Sequence, residues 1–269
     1  MRITFSGDNH MFYLATDIQS KLVKNMMRDI KKEKPDVMCY LGDFGEVLMH
    51  EDMSLVDKLF AIQPTIYVLG NHDLYNQQDL NPILAMKETL KKLKYGIPLQ
   101  THWSDTTTIY EKGDYLFLGV IGFPDFTHPK LPFPLEYYNN RYPTIDRTYI
   151  NLRKGWFVYT DMMLKAFRKK LLLINNNKCS NVIILTHYSI FESQYRLNPN
   201  DDINAYFYCH TIGEMIKHSA KINPHKKFYC LSGHGHEYNI NRWFDITNNI
   251  KTFGFKTSYI EENYELLEI

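Results

Sequence analysis

The sequence predicts an α/β fold in which two β-sheets lie between layers of helices, an αββα sandwich. Short β-branched and aromatic runs recur along the 269 residues. These short runs are continuous rather than alternating, which is typical of strands buried on both faces. Helical stretches separate the first three runs, and this β-α-β-α-β order implies parallel strands with right-handed crossovers. A hairpin pattern over Thr106–Phe123 adds antiparallel strands, and the mixture suits two sheets.

The pattern of apolar residues places the individual elements. Besides the hairpin, we predict strands over Arg2–Gly7, Asp36–Leu41, Thr65–Leu69, Val182–Leu185, Phe228–Ser232, Lys251–Phe255 and Ser258–Leu267. We predict helices over Phe12–Lys34, Leu55–Ile62, Asn81–Lys94, Trp156–Ile174 and Thr211–Ala220. Pro35 ends the first helix, because proline lacks the amide hydrogen and clashes with the preceding turn. We expect residues 1–269 to form one domain, since no repeat or linker interrupts them.

Polar clusters follow five of the predicted strands. They are Asp8-Asn9-His10, Gly42-Asp43, Gly70-Asn71-His72-Asp73, Thr186-His187 and Gly233-His234-Gly235-His236. Side chains at the carboxyl ends of sheet strands point into one crevice, however far apart they lie in sequence. Glycine begins three of the clusters, where the chain must turn sharply near a ligand. The sequence therefore predicts one functional site at this edge of the sheets.

The ordered set D-x-H, G-D, G-N-H-D, H and G-H-x-H resembles the calcineurin-like metallophosphoesterase superfamily, from Asp8 to His236. The resemblance implies the αββα sandwich with a dinuclear metal site at the carboxyl ends of the strands, and Asp43 as the bridging ligand. The remaining ligands of the first ion would be Asp8, His10 and His236. Those of the second would be Asn71, His187 and His234. His72 would be the general acid near the leaving group, oriented by Asp73.

The chemistry of these side chains agrees with that assignment. Carboxylate, imidazole and carboxamide ligands without thiolates suit two divalent ions, Mn first and Fe, Zn, Co or Ni as alternatives. Two such ions about 3.5–4 Å apart can ionise a shared water and neutralise the charge of an in-line phosphoryl transfer. A carboxylate beside His72 would favour the imidazolium that protonates a departing oxygen. The predicted attacking species is a metal-bridging hydroxide, so no nucleophilic side chain is required.

The motifs also narrow the substrate class. Ser/Thr protein phosphatases of the superfamily carry GDxVDRG and GNHE, whereas this chain has GDFGE and GNHD. Its length is closer to the small stand-alone members, so we predict a small phosphodiester or phosphomonoester substrate, with nucleotides and cyclic nucleotides among the candidates. Tyr75, Arg141 and Arg196 are candidate substrate contacts, the arginines because guanidinium matches phosphate oxygens bidentately. Glu46 is either a carboxylate that supports the metal ligands or a helix N-terminal carboxylate.

Two insertions are candidates for substrate recognition. Residues 124–155 are rich in proline and aromatic residues without periodicity, which is typical of an ordered lid or an interaction surface. Residues 189–209 carry several tyrosines shortly after His187. These rings either stack on a nucleobase or pack the loop onto the domain, and the sequence leaves both interpretations open.

Composition limits the alternatives. A formal net charge of +1 argues against a broad nucleic-acid surface, and it disfavours the alternative of a single-strand nuclease. A second alternative is a metal-binding scaffold without catalysis, but the ligand set is intact. The four cysteines show no C-x-x-C spacing, and neither a membrane-spanning stretch nor a signal peptide is evident. We therefore expect a cytoplasmic protein without disulfides and without membrane contact.

Overall fold

The structure is a computed structural model that describes residues 1–11, 16–127, 136–138, 146, 149–152, 155–196, 205–257 and 265–268. Its strands are β1 (Arg2–Ser6), β2 (Val37–Tyr40), β3 (Thr65–Tyr67), β4 (Ile97–Pro98), β5 (Tyr110–Lys112), β6 (Tyr115–Val120), β7 (Asn181–Thr186), β8 (Lys227–Ser232), β9 (Trp243–Thr247), β10 (Ile250–Gly254) and β11 (Glu265–Glu268). Its helices are α1 (Thr16–Glu33), α2 (Ser54–Phe60), α3 (Pro82–Lys92), α4 (Trp156–Asn176) and α5 (His210–Ile222). Short 3₁₀ turns occupy Val47–Met49, His72–Leu74, Glu192–Gln194 and His236–Tyr238.

The strands form two mixed sheets, as predicted. The five-stranded sheet has the order β11-β1-β2-β3-β4, and the six-stranded sheet has the order β5-β6-β7-β8-β10-β9. In the first sheet β1 to β4 run parallel and β11 is antiparallel to β1. In the second, β6, β7, β8 and β10 are parallel, and β5 and β9 are antiparallel edges. The β5–β6 pair is the hairpin predicted over Thr106–Phe123.

The predicted helices are present, with ends that differ by a few residues. Helix α1 ends at Glu33, where Lys34 has a positive φ of 48° ahead of Pro35. The last predicted strand corresponds to β11, and its residues 258–264 lie outside the described part of the chain. Strands β4 and β9 were not predicted. Among the described residues, no helix has the length and apolar character needed to cross a membrane.

The sandwich has an apolar layer between its sheets and further apolar layers beneath its helices. Side chains alternate across a strand, so alternate residues of each sheet face the other sheet. The inner layer includes Ile3, Phe5, Val37, Cys39, Ile183, Leu185 and Leu231. Their neighbours on the same strands, such as Met38 and Ile184, pack with helical residues instead. This arrangement confirms the predicted αββα fold, and all four cysteines are buried free thiols within it.

Candidate metal centre

Loops after β1, β2, β3, β7 and β8 bring the predicted ligands together. Asp8 N, after β1, donates a hydrogen bond to Gly42 O, after β2 (2.9 Å). Gly233 N, after β8, donates to His187 O, after β7 (2.9 Å). Residues far apart in sequence therefore share one site at the carboxyl ends of the strands.

The backbone at this site is strained. Eight non-glycine residues of the described chain have a positive φ, a conformation that costs about 1–3 kcal/mol for such a residue. Five of the eight are predicted ligands: Asp8 (54°), His10 (42°), Asp43 (53°), His234 (64°) and His236 (44°). Strain of this kind persists only where the surrounding contacts enforce it, and its concentration here marks a functional site.

Two glycines allow the loops to approach this closely. A Cβ at Gly70 would overlap the Asp43 carboxylate and lie 2.7 Å from Asp43 N. Gly42 has a φ of +89°, and a Cβ there would lie 2.6 Å from Gly70 N and 2.8 Å from His187 Nδ1. A side chain at either position would therefore displace Asp43 or His187.

One group of predicted ligands converges on the imidazole of His187. Leu41 O lies 2.9 Å from His187 Nδ1 and can only accept, so Nδ1 donates a proton to it. Nε2, on the opposite side of the ring, lies 2.9 Å from Asn71 Oδ1 and 3.3 Å from Asp43 Oδ2. It also lies 3.0 Å from His234 Nδ1. These four side chains are the set that the resemblance implied for the second ion.

A second group adjoins Asp43. Asp8, His10 and His236 each offer an atom that can bind a metal, and the three atoms lie within 4.8 Å of one another. His10 Nε2 is 3.4 Å from Asp43 Oδ2, the same oxygen that faces His187. The imidazoles of His10 and His236 stack with centroids 5.0 Å apart. Asp43 Oδ2 therefore belongs to both groups, and the structure brings all seven predicted ligands together.

The buried carboxylates and imidazoles shift one another's pKa. Burial raises the pKa of Asp8 to about 6. Burial would also raise the pKa of Asp43, but nearby imidazoles, that of His187 first, hold it well below its usual range. Burial would lower the pKa of His187, yet the carboxylates of Asp43 and Asp8 raise it to about 9. Perturbed groups clustered in this way are typical of a functional site.

The donor set fits divalent cations. Both carboxylate oxygens of Asp8 and Oδ2 of Asp43 are buried and accept no well-aligned hydrogen bond from the described residues. Buried carboxylate oxygens require compensating partners, and a cation would supply them. Oxygen and imidazole ligands without thiolate suit the ions named from the sequence.

The structure gives Asp73 a different place from the predicted one. Its carboxylate accepts hydrogen bonds from three backbone amides, those of Asp43 (2.9 Å), Gly45 (3.3 Å) and Gly70 (2.8 Å). Asp73 therefore fastens the second motif loop to the third instead of orienting His72. Glu46 also faces the His72 ring, with Oε1 4.0 Å from His72 Nδ1. Of the two interpretations of Glu46, support for the site is the one this geometry favours.

His72 lies at the edge of the two groups of candidate metal ligands. Its side chain is 20 % exposed, and its ring packs against His10 and Tyr75 with both centroids 4.3 Å away. Its backbone N–H donates to Asp43 Oδ1 (3.0 Å). A ring nitrogen of His72 also lies within 4.8 Å of metal-binding atoms of His10 and Asp43. A position close to the centre and partly open to solvent suits a proton donor to a leaving group.

Tyr75, a predicted substrate contact, is buried beside His72. It is 1 % exposed, and its hydroxyl donates to Asp146 Oδ1. The same oxygen accepts a hydrogen bond from Asn71 Nδ2 (3.0 Å), so Asp146 orients the Asn71 amide with its oxygen toward His187. Sequence reasoning missed Asp146, because it lies 75 residues beyond Asn71 in an insertion without a motif.

The other predicted substrate contacts are two arginines. Arg141 lies outside the described residues. Arg196 is exposed, and its backbone N–H donates to Tyr238 O (2.9 Å), two residues beyond His236. Arg196 is therefore tied to the segment that follows the last motif, and its contact with a phosphate stays a prediction.

In the described parts of the insertion over residues 189–209, the tyrosines pack onto the domain. Three of them are buried: Tyr195, Tyr206 and Tyr208. The hydroxyl of Tyr206 donates to Tyr138 O (3.1 Å), which joins this insertion to the other one. Phe207 is only half-buried, and its ring lies 4.8 Å from that of His234. Sequence reasoning passed over Phe207, since a single phenylalanine in a loop carries no motif.

A sandwich of two mixed sheets with buried carboxylates and imidazoles at the strand ends defines a class of metal-binding α/β proteins. A sequence profile of the calcineurin-like phosphoesterases matches residues 1–238. The chain therefore belongs to the calcineurin-like phosphoesterase family, whose members are metal-dependent hydrolases of phosphoesters. This confirms the resemblance drawn from the motifs.

Solved structures share the fold at low sequence identity. A dimetal phosphatase from Danio rerio has a TM-score of 0.54 and 12 % identity, over 97 % of this chain and 88 % of that chain. A 5'-nucleotidase from Candida albicans has a TM-score of 0.51 and 12 % identity, over 97 % of this chain and 45 % of that chain. At this identity the similarity concerns the fold alone. No curated protein sequence matches the chain.

Proposed function

We propose that the protein is a dinuclear-metal phosphoesterase that hydrolyses a small phosphomonoester or phosphodiester. Membership of the family supports metal-dependent hydrolysis of a phosphoester. The observation that carries the proposal is the position of Asp43 Oδ2, 3.4 Å from His10 Nε2 and 3.3 Å from His187 Nε2. A carboxylate shared by two groups of ligand atoms can serve a pair of adjacent ions, which is the arrangement of two-metal phosphoesterase sites.

We assign one ion to Asp8, His10, Asp43 and His236, and the other to Asp43, Asn71, His187 and His234. When bound, two divalent ions supply Lewis-acid stabilisation of the phosphoryl oxygens and lower the pKa of water. Manganese is our first choice, because oxygen and imidazole donors suit it. The same ligand set would also accept Fe, Zn, Co or Ni, according to which ion is available.

We assign the leaving-group proton to His72. Glu46 Oε1 lies 4.0 Å from His72 Nδ1 and holds that side of the ring. Packing against Tyr75 and His10 fixes the plane of the ring. Proton transfer would then use the ring nitrogen opposite Nδ1. Arg196 and Arg141 are proposed to bind phosphate oxygens.

Hydrolysis of chromogenic esters tests this proposal. Metal-stripped protein incubated with Mn²⁺ is expected to release p-nitrophenolate from bis-p-nitrophenyl phosphate or from p-nitrophenyl phosphate, and a chelator is expected to stop the reaction. The ester that is hydrolysed faster identifies the protein as a diesterase or a monoesterase. Protein that binds Mn²⁺ but hydrolyses neither ester would contradict the proposal and favour a metal-binding scaffold.

A further inference from the structure

We propose that three aromatic residues beside the metal-binding groups bind a nucleobase, so that the substrate is a nucleotide. This inference rests on the proposed function and names the substrate class of the same site. We call Tyr195, Phe207 and Tyr238 the aromatic shelf.

The aromatic shelf adjoins a predicted metal ligand. The centroid of the Phe207 ring lies 4.8 Å from that of His234. Phe207 stacks nearly parallel on Tyr195, at 5.2 Å with an interplanar angle of 13°. Tyr238, in the 3₁₀ turn that begins at His236, lies 6.0 Å from Tyr195. The shelf is therefore one contiguous set of rings that begins next to the metal-binding groups.

Two of the three rings are open to a ligand. Tyr238 is 50 % exposed, and Phe207 is partly exposed. Tyr195, which supports both, is 3 % exposed. An aromatic ring exposed beside a polar site offers a flat apolar face, which is the feature that planar ligands recognise.

The segments that carry the shelf are held in place. Cys209 N, two residues after Phe207, donates to Ser189 O (2.9 Å). Arg196 N donates to Tyr238 O (2.9 Å), which joins the two segments to each other. The buried Asn239 side chain donates through Nδ2 to Gly233 O and to Phe255 O, both at 2.8 Å. The rings are thus pre-positioned, and binding a planar group would cost little ordering of the protein.

A nucleobase is the planar group that fits this arrangement. A nucleotide joins its base to its phosphate through one sugar, so the base can reach the shelf while the phosphate lies at the metal-binding groups. Every base has a π face that stacks on an aromatic ring, whereas alkyl and sugar phosphates have no π face. The exposed guanidinium of Arg196 adds positive charge on the same segment, which suits a phosphorylated ligand.

The test measures binding, so that it does not depend on turnover. Phosphonate analogues of adenosine 5'-monophosphate and of ribose 5-phosphate resist hydrolysis and differ only in the base. Calorimetry with the Mn²⁺-loaded protein of 269 residues is expected to give a Kd about tenfold lower for the adenosine analogue than for the ribose analogue. Phe207→Leu keeps an apolar side chain without a π face, and it is expected to bring the two Kd values within about twofold of each other. Tyr238→Leu is also expected to reduce the ratio between the Kd values of the two analogues.

Matched variants separate stacking from packing. Tyr95 is also 50 % exposed but lies between α3 and β4, at the amino-terminal end of that strand, so Tyr95→Leu is expected to change neither Kd. Phe207→Trp, which keeps a stacking face, is expected to retain the preference. If Phe207 only packs against His234, Phe207→Leu would weaken both analogues equally and lower the Mn²⁺ content, which would overturn the inference.

Two further results would overturn it. One is equal affinity of the wild-type protein for both analogues. The other is a preference for the adenosine analogue that persists in both Tyr238→Leu and Phe207→Leu. Because Tyr238 is exposed, Tyr238→Leu provides the test even if Phe207→Leu folds poorly. Failure of the proposed function would appear separately, as the absence of p-nitrophenyl ester hydrolysis.

Discussion

Asp43→Asn is expected to lower phosphoester hydrolysis by about a thousandfold or more and to weaken the binding of both ions. Asp43 Oδ2 is the atom common to both ligand groups, 3.4 Å from His10 Nε2 and 3.3 Å from His187 Nε2. Asparagine offers one neutral oxygen where aspartate offers two charged ones. It therefore cannot neutralise two adjacent cations, and the loss should exceed that of any other single ligand.

The measurement is Mn²⁺ content per chain together with the rate of p-nitrophenyl ester hydrolysis. Asp105→Asn is the matched control, because Asp105 is buried (2 % exposed) but lies outside the candidate metal centre. Its carboxylate accepts a hydrogen bond from Thr101 N (2.9 Å) and lies 3.4 Å from Lys170 Nζ. We expect this control to lower the melting temperature but to keep the metal content. Full activity of Asp43→Asn with two ions bound would refute the bridging assignment.

His72→Ala is expected to slow the hydrolysis of alkyl phosphoesters by about 10²–10⁴-fold and that of p-nitrophenyl esters much less. An alkoxide leaves poorly without a proton, whereas p-nitrophenolate is stable without one. Glu46→Gln should act in the same direction but more weakly, because Glu46 works through the His72 ring at 4.0 Å. Rates for a series of leaving groups give the dependence directly.

The result for His72→Ala has two controls, the metal content of the variant and the substitution of a surface histidine. His102 is exposed and belongs to none of the ligand groups, so His102→Ala is expected to leave every rate unchanged. Equal losses for good and poor leaving groups in His72→Ala would argue against its role as an acid. Loss of metal from that variant would make His72 a ligand instead, since its ring lies within reach of His10 and Asp43.

Much of the fold could be predicted because the central strands are buried on both faces. The run VMCYL after Asp36 contains β2, and the run VIIL forms most of β7. Both stay apolar throughout, and such runs are visible in a sequence. Strand β9 was not predicted, because it is an edge strand whose side chains are partly exposed and because Asp245 interrupts its apolar residues. Strand β4 has two residues, too few for any pattern.

The predicted ligands could be found because each lies where a strand ends, a position that sequence order alone defines. Contacts between side chains could not be found in this way. Asp73 is the sequence neighbour of His72, but successive residues of a tight helical turn do not face each other, and its carboxylate turns to backbone amides instead. Asp146 and Phe207 reach the site from insertions whose course no periodicity defines.

Anomalous diffraction from crystals grown with Mn²⁺ tests the central claim most directly, because it locates the ions without reference to activity. We expect two anomalous peaks about 3.5–4 Å apart with Asp43 bound to both. One peak should lie among Asp8, His10 and His236, and the other among Asn71, His187 and His234. A single peak, or two peaks of which Asp43 contacts only one, would contradict the dinuclear site.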